Sequence, residues 1–209
     1  MKIISYEIKH CNAGWRDFSF LKINTDEGIS GISEYNECYG SPGLSIIISR
    51  FMNKVINQDP ICHEKIHQYL YASSRQAPGG IAQQAIAAIE NALLDVKGKY
   101  LNVPVHTLLG GAIRDKLPLY WSHCGTYRIS EEYSNIMQKP QVRTLEDLKK
   151  LGKDVKDAGY KGLKTNIFTF GETPTLEMQG FAGKSGWPEL NVDSHIIDGL
   201  RKQIDALRS

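Results

Sequence analysis

The pattern of apolar residues changes at the glycine pair Gly110-Gly111, and this change constrains the fold more than any other feature of the 209-residue chain. Before the pair, strand-like segments come first and helix-like segments follow. After the pair, strand-like and helix-like segments alternate. Strands followed by helices predict an α+β domain, whereas alternation predicts parallel strands joined by helices. We therefore expect two domains, residues 1–115 and residues 116–209.

The first domain is predicted to contain a three-stranded antiparallel meander and a helical bundle. The strand-like segments, which alternate or are rich in Ile, Phe and Leu, are Met1–Asn12, Asp17–Thr25 and Ile29–Glu34. Apolar residues at helical spacing predict helices from Leu44 to the breaker at Pro60, over His63–Tyr71 and over Ile81–Tyr100. The apolar stripe of the last helix is rich in alanine and indicates close helix packing.

The second domain is predicted to contain two β/α units, which are the beginning of a TIM-type barrel. The expected elements are a strand at Leu117–Trp121, a helix capped by Thr144 and stopped at Gly159, a strand at Gly162–Phe168 and a helix at Ser194–Leu207. We expect the last helix to bury Ile196, Ile197, Leu200, Ile204 and Leu207. A strand, a helix and a second strand in succession form a parallel crossover in nearly all proteins.

Two β/α units cannot close a parallel barrel, so we expect the chain to be the first part of a longer protein. An open parallel edge would demand a partner, which is the basis for an assembly or binding remnant as an alternative. We also expect a homo-oligomer. The loop from Gly171 to Leu190 is longer than usual connections, and we expect it to contribute to a lid or a subunit contact.

Charge and composition argue against several classes of function. The formal net charge is only +2, and scattered Lys and Arg residues do not indicate nucleic-acid or polybasic membrane binding. No stretch approaches about 18 uncharged apolar residues and the N-terminus lacks the apolar core of a signal peptide, so we expect a cytoplasmic protein. The four cysteines show no Cys-x-x-Cys spacing and indicate neither a disulfide framework nor a zinc knuckle.

The predicted strand at Gly162–Phe168 carries Lys164 and Asn166, the leading candidates for a functional site. Residues i and i+2 of a strand lie on one side, so these two side chains would project together while Thr165 points away. Inside a barrel, an ammonium and an amide on one side would hold a carboxylate. The alternative is an edge strand whose lysine simply reaches solvent.

A series of motifs in fixed order resembles the N-terminal part of the mandelate racemase and muconate lactonizing branch of the enolase superfamily. The motifs are Phe20–Glu34, Gln58-Asp59-Pro60, Pro78-Gly79-Gly80, Ala88–Lys99, Pro104-Val105 and Leu108–Gly111. The resemblance covers nearly the whole chain. It implies a capping domain followed by a modified TIM barrel, in which a proton beside a carboxylate is removed with the help of Mg²⁺.

The sequence Lys164-Thr165-Asn166 distinguishes among the reactions of this branch. The family often carries Lys-x-Lys here, and its second lysine is the base; an amide cannot serve as that base. Lys-x-Asn is similar to the galactonate dehydratase group, which implies a hydro-lyase acting on an aldonic or aldaric acid. Lys164 would then stabilise charge and Asn166 would orient a carboxylate or hydroxyl. A racemase, epimerase or cycloisomerase of the same superfamily stays an alternative.

The resemblance implies further site residues and a magnesium site. The family's metal ligands are carboxylates of later barrel strands, which would lie beyond Ser209, so the chain alone is expected to be inactive. Five residues would contact substrate, two at the end of the first barrel strand and three in loops that resemble mobile lids. They are His123, Arg128, Trp15, Arg16 and Tyr39.

One motif favours a different class of protein. His63-Glu64-Lys65-Ile66-His67 has the H-E-x-x-H pattern of zinc peptidases, with two imidazoles on one helix face and a glutamate as base. A metzincin-type third ligand is missing, and Glu90, the plausible downstream carboxylate, falls inside the Ala88–Lys99 motif. We therefore favour surface or domain-seam histidines over a peptidase. A non-catalytic assembly remnant is the remaining alternative.

Overall fold

The structure, a computed structural model, describes residues 1–14, 16–177 and 191–209. The chain divides into two compact units, Met1–Ile113 and Arg114–Ser209. Over these described stretches, none of the helices combines the length and the apolar character needed to cross a membrane.

The first unit is built on a three-stranded antiparallel sheet, as predicted. Its strands, in spatial order, are β1 (Ile3–Asn12), β2 (Asp17–Thr25) and β3 (Ser30–Tyr35). Alternate residues of β2 are buried, Leu21 and Ile23 completely, because one face of the sheet packs on the core. Gly28 in the β2–β3 turn has a φ of +78°, a backbone conformation that favours glycine.

Four helices complete the first unit. They are α1 (Leu44–Val55), α2 (His63–Ser73), α3 (Gly80–Leu101) and the single turn α4 (Val105–Leu108), which was not predicted. Helix α3 packs on the sheet through an alanine-rich face that includes Ala85, Ala88 and Ala92. A Cβ added at Gly31 of β3 would lie 2.0 Å from the Ala92 carbonyl oxygen. Small residues on both elements therefore allow this close approach.

The second unit begins with a parallel pairing that is shorter than predicted. Trp121 and Leu163 form an isolated parallel bridge, flanked by hydrogen bonds from Trp121 N to Gly162 O (3.0 Å) and from Lys164 N to Trp121 O (2.8 Å). The prediction of a strand over Leu117–Trp121 was wrong, because Pro118 cannot donate to a ladder and the flanking leucines are exposed.

The helices between the two paired segments are α5 (Glu131–Ile136), which was not predicted, and α6 (Leu145–Asp157), which was. Helix α6 begins with the expected capping box. Thr144 Oγ1 accepts a hydrogen bond from Asp147 N (3.2 Å), and Asp147 Oδ2 accepts one from Thr144 N (3.1 Å). The helix buries Leu148, Leu151 and Val155.

The second predicted strand starts later than expected and turns into a hairpin. Strand β4 (Ile167–Phe170) pairs antiparallel with β5 (Pro174–Glu177), across a short turn that begins at Gly171. The prediction of a continuous strand over Gly162–Phe168 was therefore wrong at its start. No strong hairpin signal marks β5, which lies in the segment predicted to be a loop. The rest of that segment, residues 178–190, lies outside the described residues.

The last helix, α7 (Ser194–Arg208), starts where predicted and buries Ile196 as predicted, with Leu200 and Leu207 half-buried, but its buried face is shifted toward Gly199 and Gln203. Ile196, Gly199 and Gln203 are buried, whereas Ile197 is 47% exposed and Ile204 is 38% exposed. The reason is a close approach at glycine, since a Cβ at Gly199 would lie 3.1 Å from the Phe168 carbonyl oxygen. The helix is thereby rotated so that its glycine, not its isoleucines at 197 and 204, contacts β4.

Candidate functional site

Asn166 lies just after the parallel pairing and just before β4. Its side-chain Oδ1 accepts a hydrogen bond from Thr126 Oγ1 at 3.0 Å. Oδ1 can only accept, so the Nδ2 group is the end of the amide that can donate to a ligand. Thr126 is buried and follows the first paired segment, so it fixes an orientation of Asn166 that was not predicted.

Lys164 is anchored by its backbone and exposed at its side chain. Its carbonyl oxygen accepts from Cys124 N at 2.8 Å, which completes the parallel pairing. Within the described part of the chain, its ammonium forms no ion pair and no hydrogen bond. The neighbouring Thr165 hydroxyl instead donates to the Cys124 carbonyl oxygen at 2.7 Å. An exposed ammonium two residues from a fixed amide is suited to bind an anion. Both residues lie before β4 and outside any strand, so it stays a prediction that they face one ligand.

Gln203 of α7 is a supporting residue that sequence reasoning missed. It is completely buried, and its amide spans two backbone groups: Nε2 donates to Asn166 O at 2.8 Å and Oε1 accepts from Phe168 N at 3.0 Å. The side chain of Gln203 thus makes the two backbone hydrogen bonds that a neighbouring strand would otherwise make. The sequence did contain a signal for this role. Gln203 lies seven residues after Ile196, so a polar residue occupies the inner face of the helix.

Cys124 is buried between these elements and is unsuited to nucleophilic chemistry. Burial raises the pKa of its thiol to about 11, and the positive charge of Arg128 opposes this only in part. The thiol therefore stays protonated at neutral pH, whereas the thiolate is the reactive form. We assign Cys124 to the core of the second unit.

His123 and Arg128, both predicted to contact substrate, line one cavity of about 130 Å³. The His123 backbone has a φ of +51°, and its ring centroid lies 5.5 Å from that of Tyr127. Such a conformation is uncommon for a residue other than glycine and is often found at functional positions. The cavity is smaller than the roughly 300–1,000 Å³ typical of small-molecule sites.

Arg128 also has a structural role that was not predicted. Its Nε donates to the Pro140 carbonyl oxygen at 2.7 Å, and its own carbonyl oxygen accepts from Val142 N at 2.8 Å. These bonds close the excursion that contains α5. The geometry thus explains Arg128 as a structural residue. Its contact with substrate stays a prediction.

In the first unit, two of the predicted lid residues lie together. The Arg16 guanidinium carbon lies 4.4 Å from the centroid of the Phe18 ring and 5.7 Å from that of the Tyr39 ring. Tyr39 is 62% exposed. The loop after β1 and the loop after β3 thus meet at a cation–π contact. Trp15, the third predicted lid residue, lies outside the described residues.

The loop after β3 is fixed by Glu37, another residue that sequence reasoning missed. Its carboxylate accepts from Gly43 N (3.0 Å), from Ser45 N (3.3 Å) and from the Ser45 hydroxyl. Gly43 is the N-cap of α1 and has no side chain to offer, so Glu37 satisfies the free N–H groups there. The Tyr35 hydroxyl joins the group at 2.8 Å from Ser45 Oγ.

The described residues of the second unit do not supply a magnesium site. Among residues 1–14, 16–177 and 191–209, one group of three side chains has ligand atoms close enough together to hold a metal ion. This group is His63, Glu64 and Glu90, and it lies in the first unit. Magnesium prefers several oxygen ligands in octahedral arrangement. The residues around Lys164 and Asn166 therefore do not fit this ion by themselves.

Comparison with known proteins finds a family of domains that resembles the first unit. Residues 9–110 match the mandelate racemase / muconate lactonizing enzyme N-terminal domain. The first unit is therefore similar to the N-terminal domain of this family. Two of the chain's curated relatives are D-galactonate dehydratases. That of Variovorax paradoxus is 42% identical over 101 residues, which are 48% of this chain and 26% of the relative. That of Pectobacterium atrosepticum is 40% identical over 123 residues, 59% of this chain and 32% of the relative.

Solved structures extend the likeness over both units. A Burkholderia xenovorans protein assigned as an L-alanine-DL-glutamate epimerase matches 100% of this chain and 52% of its own, with a TM-score of 0.92 and 39% identity. A structure of that protein bound to magnesium and fumarate is 40% identical to this chain, with a TM-score of 0.90. The chain thus spans about half of the solved relatives and about a third or less of the curated ones.

Proposed function

We propose that this chain supplies the capping domain and part of the substrate site of a Mg²⁺-dependent hydro-lyase for an aldonic or aldaric acid. The two D-galactonate dehydratase relatives support this substrate class, and D-galactonate is the first acid to test. The observation that carries the proposal is the arrangement of Lys164 and Asn166, an exposed ammonium near an amide whose orientation Thr126 and Gln203 fix.

The proposed reaction matches what these two side chains can and cannot do. Removal of a proton beside a carboxylate leaves an enediolate dianion, which positive charges and hydrogen-bond donors stabilise. Lys164 offers a charge and Asn166 offers a donor, but the amide cannot accept the proton. The proton acceptor is therefore a different residue. Magnesium would supply further positive charge, and the relative bound to magnesium and fumarate supports its use with carboxylates.

The remaining predicted residues are proposed to contact the substrate. Arg16 and Tyr39 would act from the capping domain, where their mutual contact holds one loop to the other. His123 and Arg128 would act from the end of the first paired segment, together with Trp15 from the cap. An acid sugar offers both a carboxylate and hydroxyls, so a set of cationic and aromatic side chains is chemically suited to it.

The proposal is tested on the protein expressed from its complete reading frame, incubated with aldonic and aldaric acids and Mg²⁺. Formation of a keto acid with loss of water is expected for at least one substrate. Lys164→Ala should lower kcat by about 10²–10³, the usual loss when a group that stabilises transition-state charge is removed. Lys161→Ala, which removes another exposed lysine nearby, serves as the control and should leave kcat unchanged. Absence of dehydration across the substrates would refute the proposal.

Epimerisation is the second candidate, because the solved relative assigned as an epimerase matches the whole chain at 39% identity. Both reactions begin by removing the proton beside the carboxylate, but only dehydration expels water. Incubation in D₂O therefore separates them. Incorporation of deuterium with an inverted centre and no keto acid would favour epimerisation. An epimerase that uses a lysine base at position 166 is excluded here, because the amide of Asn166 cannot accept the proton.

A further inference from the structure

The H-E-x-x-H motif has no part in the proposed lyase reaction, yet the structure gives it a defined environment. His63 and His67 are four residues apart on α2 and lie on one face of the helix. That face meets α3, where Glu90 and Lys97 lie seven residues, or about two turns, apart. Two imidazoles, one carboxylate and one ammonium therefore converge between two helices of the first unit.

The contacts within this cluster are specific. Ligand atoms of His63, Glu64 and Glu90 all lie within 4.8 Å of one another. His67 Nδ1 lies 3.0 Å from Glu90 Oε2, and His63 Nε2 lies 3.7 Å from Glu64 Oε1. The His63 and His67 side chains are only 14% and 23% exposed, so packing restricts both rings. The two histidines and Glu90 are thus held by packing, whereas the Glu64 side chain is 77% exposed and reaches the group from the surface.

We propose that His63, Glu64 and Glu90 bind a divalent transition-metal ion that links α2 to α3, with His67 as a positioning residue for the Glu90 carboxylate. One imidazole and two carboxylates are ligands that zinc accepts, whereas magnesium and calcium prefer oxygen ligands throughout. Ligand atoms about 2.0–2.2 Å from a tetrahedral zinc ion lie about 3.3–3.6 Å apart. Side-chain rotations that move the ligand atoms by roughly an ångström would bring the three groups to that spacing.

This arrangement differs from that of a zinc peptidase. In the H-E-x-x-H enzymes both histidines bind the metal and the glutamate acts as the base. Here Glu64 belongs to the ligand group and His67 is bonded to Glu90. A hydrogen-bonded outer partner of a ligating carboxylate is a common feature of metal sites. The proposed site is therefore structural, and none of its residues is among those proposed for the lyase reaction.

Lys97 provides a sharp test, because it opposes metal binding. Its Nζ lies 3.4 Å from His63 Nδ1. An ammonium can only donate, so Nδ1 is the acceptor in this contact. A metal on Nε2 leaves the proton of the neutral ring on Nδ1, where it would face Lys97. Removing the ammonium should therefore strengthen metal binding.

Zn²⁺ titration of the purified 209-residue chain by calorimetry, after treatment with EDTA, tests the proposal. One Zn²⁺ per chain should bind and raise the melting temperature. His63→Ala and Glu90→Gln should each weaken binding more than about 100-fold, and His67→Ala about 10–100-fold, the range for an outer partner of a ligand. Lys97→Met should tighten binding several-fold. Unchanged affinity in both His63→Ala and Glu90→Gln would overturn the proposal.

Three controls separate this site from zinc binding elsewhere on the chain and from loss of the fold. His106→Ala removes an exposed histidine elsewhere in the unit and should bind Zn²⁺ like the parent protein. Cys62→Ser removes the exposed thiol next to His63 and should also bind normally; loss of binding there would assign the metal to the thiol instead. Each variant should still show a cooperative melting transition in EDTA, which distinguishes loss of a ligand from loss of the fold. Because this readout uses no acid sugar, its outcome is independent of the lyase activity.

Discussion

At the scale of single residues, Asn166 shows how a candidate site residue depends on side chains far away in the sequence. Thr126 holds its side-chain oxygen, and Gln203 holds its carbonyl oxygen. These two partners lie 40 and 37 residues away. The orientation of the amide is therefore a property of the second unit as a whole and not of the Lys164–Asn166 segment.

Replacing Gln203 by methionine should destabilise the protein by about 2 to 4 kcal/mol. The change keeps the side-chain volume but leaves the Asn166 carbonyl and the Phe168 N–H without partners, and each such group costs about 1–3 kcal/mol. Urea denaturation measures the change. Lys202→Met, on the exposed side of the same helix, is the matched control and should shift stability by less than about 0.5 kcal/mol. An equally small effect at both positions would contradict this role of Gln203.

The hydroxyl of Thr126 should contribute about 1 kcal/mol through its bond to Asn166 Oδ1. Thr126→Val has nearly the same shape and lacks the donor, so it should lose this contribution; Thr126→Ser keeps the donor and should lose less. The Asn166 side-chain amide signals in NMR spectra should shift in the valine variant. A serine variant less stable than the valine variant would indicate that packing, and not the hydrogen bond, is what matters at this position.

At the scale of elements, the capping box of α6 makes stability depend on pH. Partial burial raises the pKa of Asp147, but hydrogen bonds from the Arg143 and Thr144 backbones and from the Thr144 hydroxyl outweigh it and hold the pKa below its ordinary value of 3.8. A carboxylate with a lowered pKa in the folded state stabilises the protein above its unfolded-state pKa. That contribution is lost as the pH falls through the folded-state value.

Asp147→Asn should therefore be less stable than the parent protein at neutral pH, and this difference should shrink as the pH falls below 3.8. Urea midpoints measured across the acid range test this. Asp154→Asn, at an exposed carboxylate of the same helix, is the control and should show a smaller change. A difference between parent and Asp147→Asn that stays constant at all pH values would exclude linkage through this carboxylate.

Packing of α6 against α7 requires a glycine at position 152. A Cβ there would lie 2.4 Å from the Leu207 carbonyl oxygen, so the helices would have to separate. Alanine normally stabilises a helix interior by about 1 kcal/mol relative to glycine, but overpacking costs about 1–3 kcal/mol. We expect Gly152→Ala to lower the melting temperature, while Lys149→Ala on the exposed face does not. A higher melting temperature for Gly152→Ala would show that the interface is looser than described.

At the scale of the whole molecule, each unit has a buried core and also leaves large apolar residues exposed. The first has a continuous core of sheet and helix residues, including Ile3, Leu21 and Ile89 at 0% exposure. The second leaves Leu117 and Leu119 each 69% exposed. Large exposed apolar residues in sequence indicate a surface that associates with other surfaces.

Substituting both exposed leucines by lysine should therefore reduce self-association and dye binding without loss of fold. Leu117→Lys combined with Leu119→Lys is expected to change stability by less than about 0.5 kcal/mol. Light scattering and fluorescence of a hydrophobic dye would report the change. Leu148→Lys places the same charge at a residue with 0% exposure and should unfold the second unit. Loss of circular dichroism in the double variant would show that these leucines support the fold.

The local pattern of the sequence was sufficient for the capping domain. Its three strands and its main helices follow from alternation, helical spacing and turn residues, which act over a few residues at a time. The same holds for the capping box at Thr144, whose partner is three residues away. These features form because each short segment has one favourable backbone conformation.

The sequence determined the capping domain and drew attention to Lys164, Asn166 and the H-E-x-x-H motif, but tertiary structure decided which side chains meet. Three features depend on close approaches at particular glycines or on partners far away in the sequence. They are the hairpin of β4 and β5, the rotated face of α7 and the bridge made by Gln203. The same is true of the meeting of His63 with Glu90. Such contacts depend on the packing of whole elements, so no local pattern could predict them.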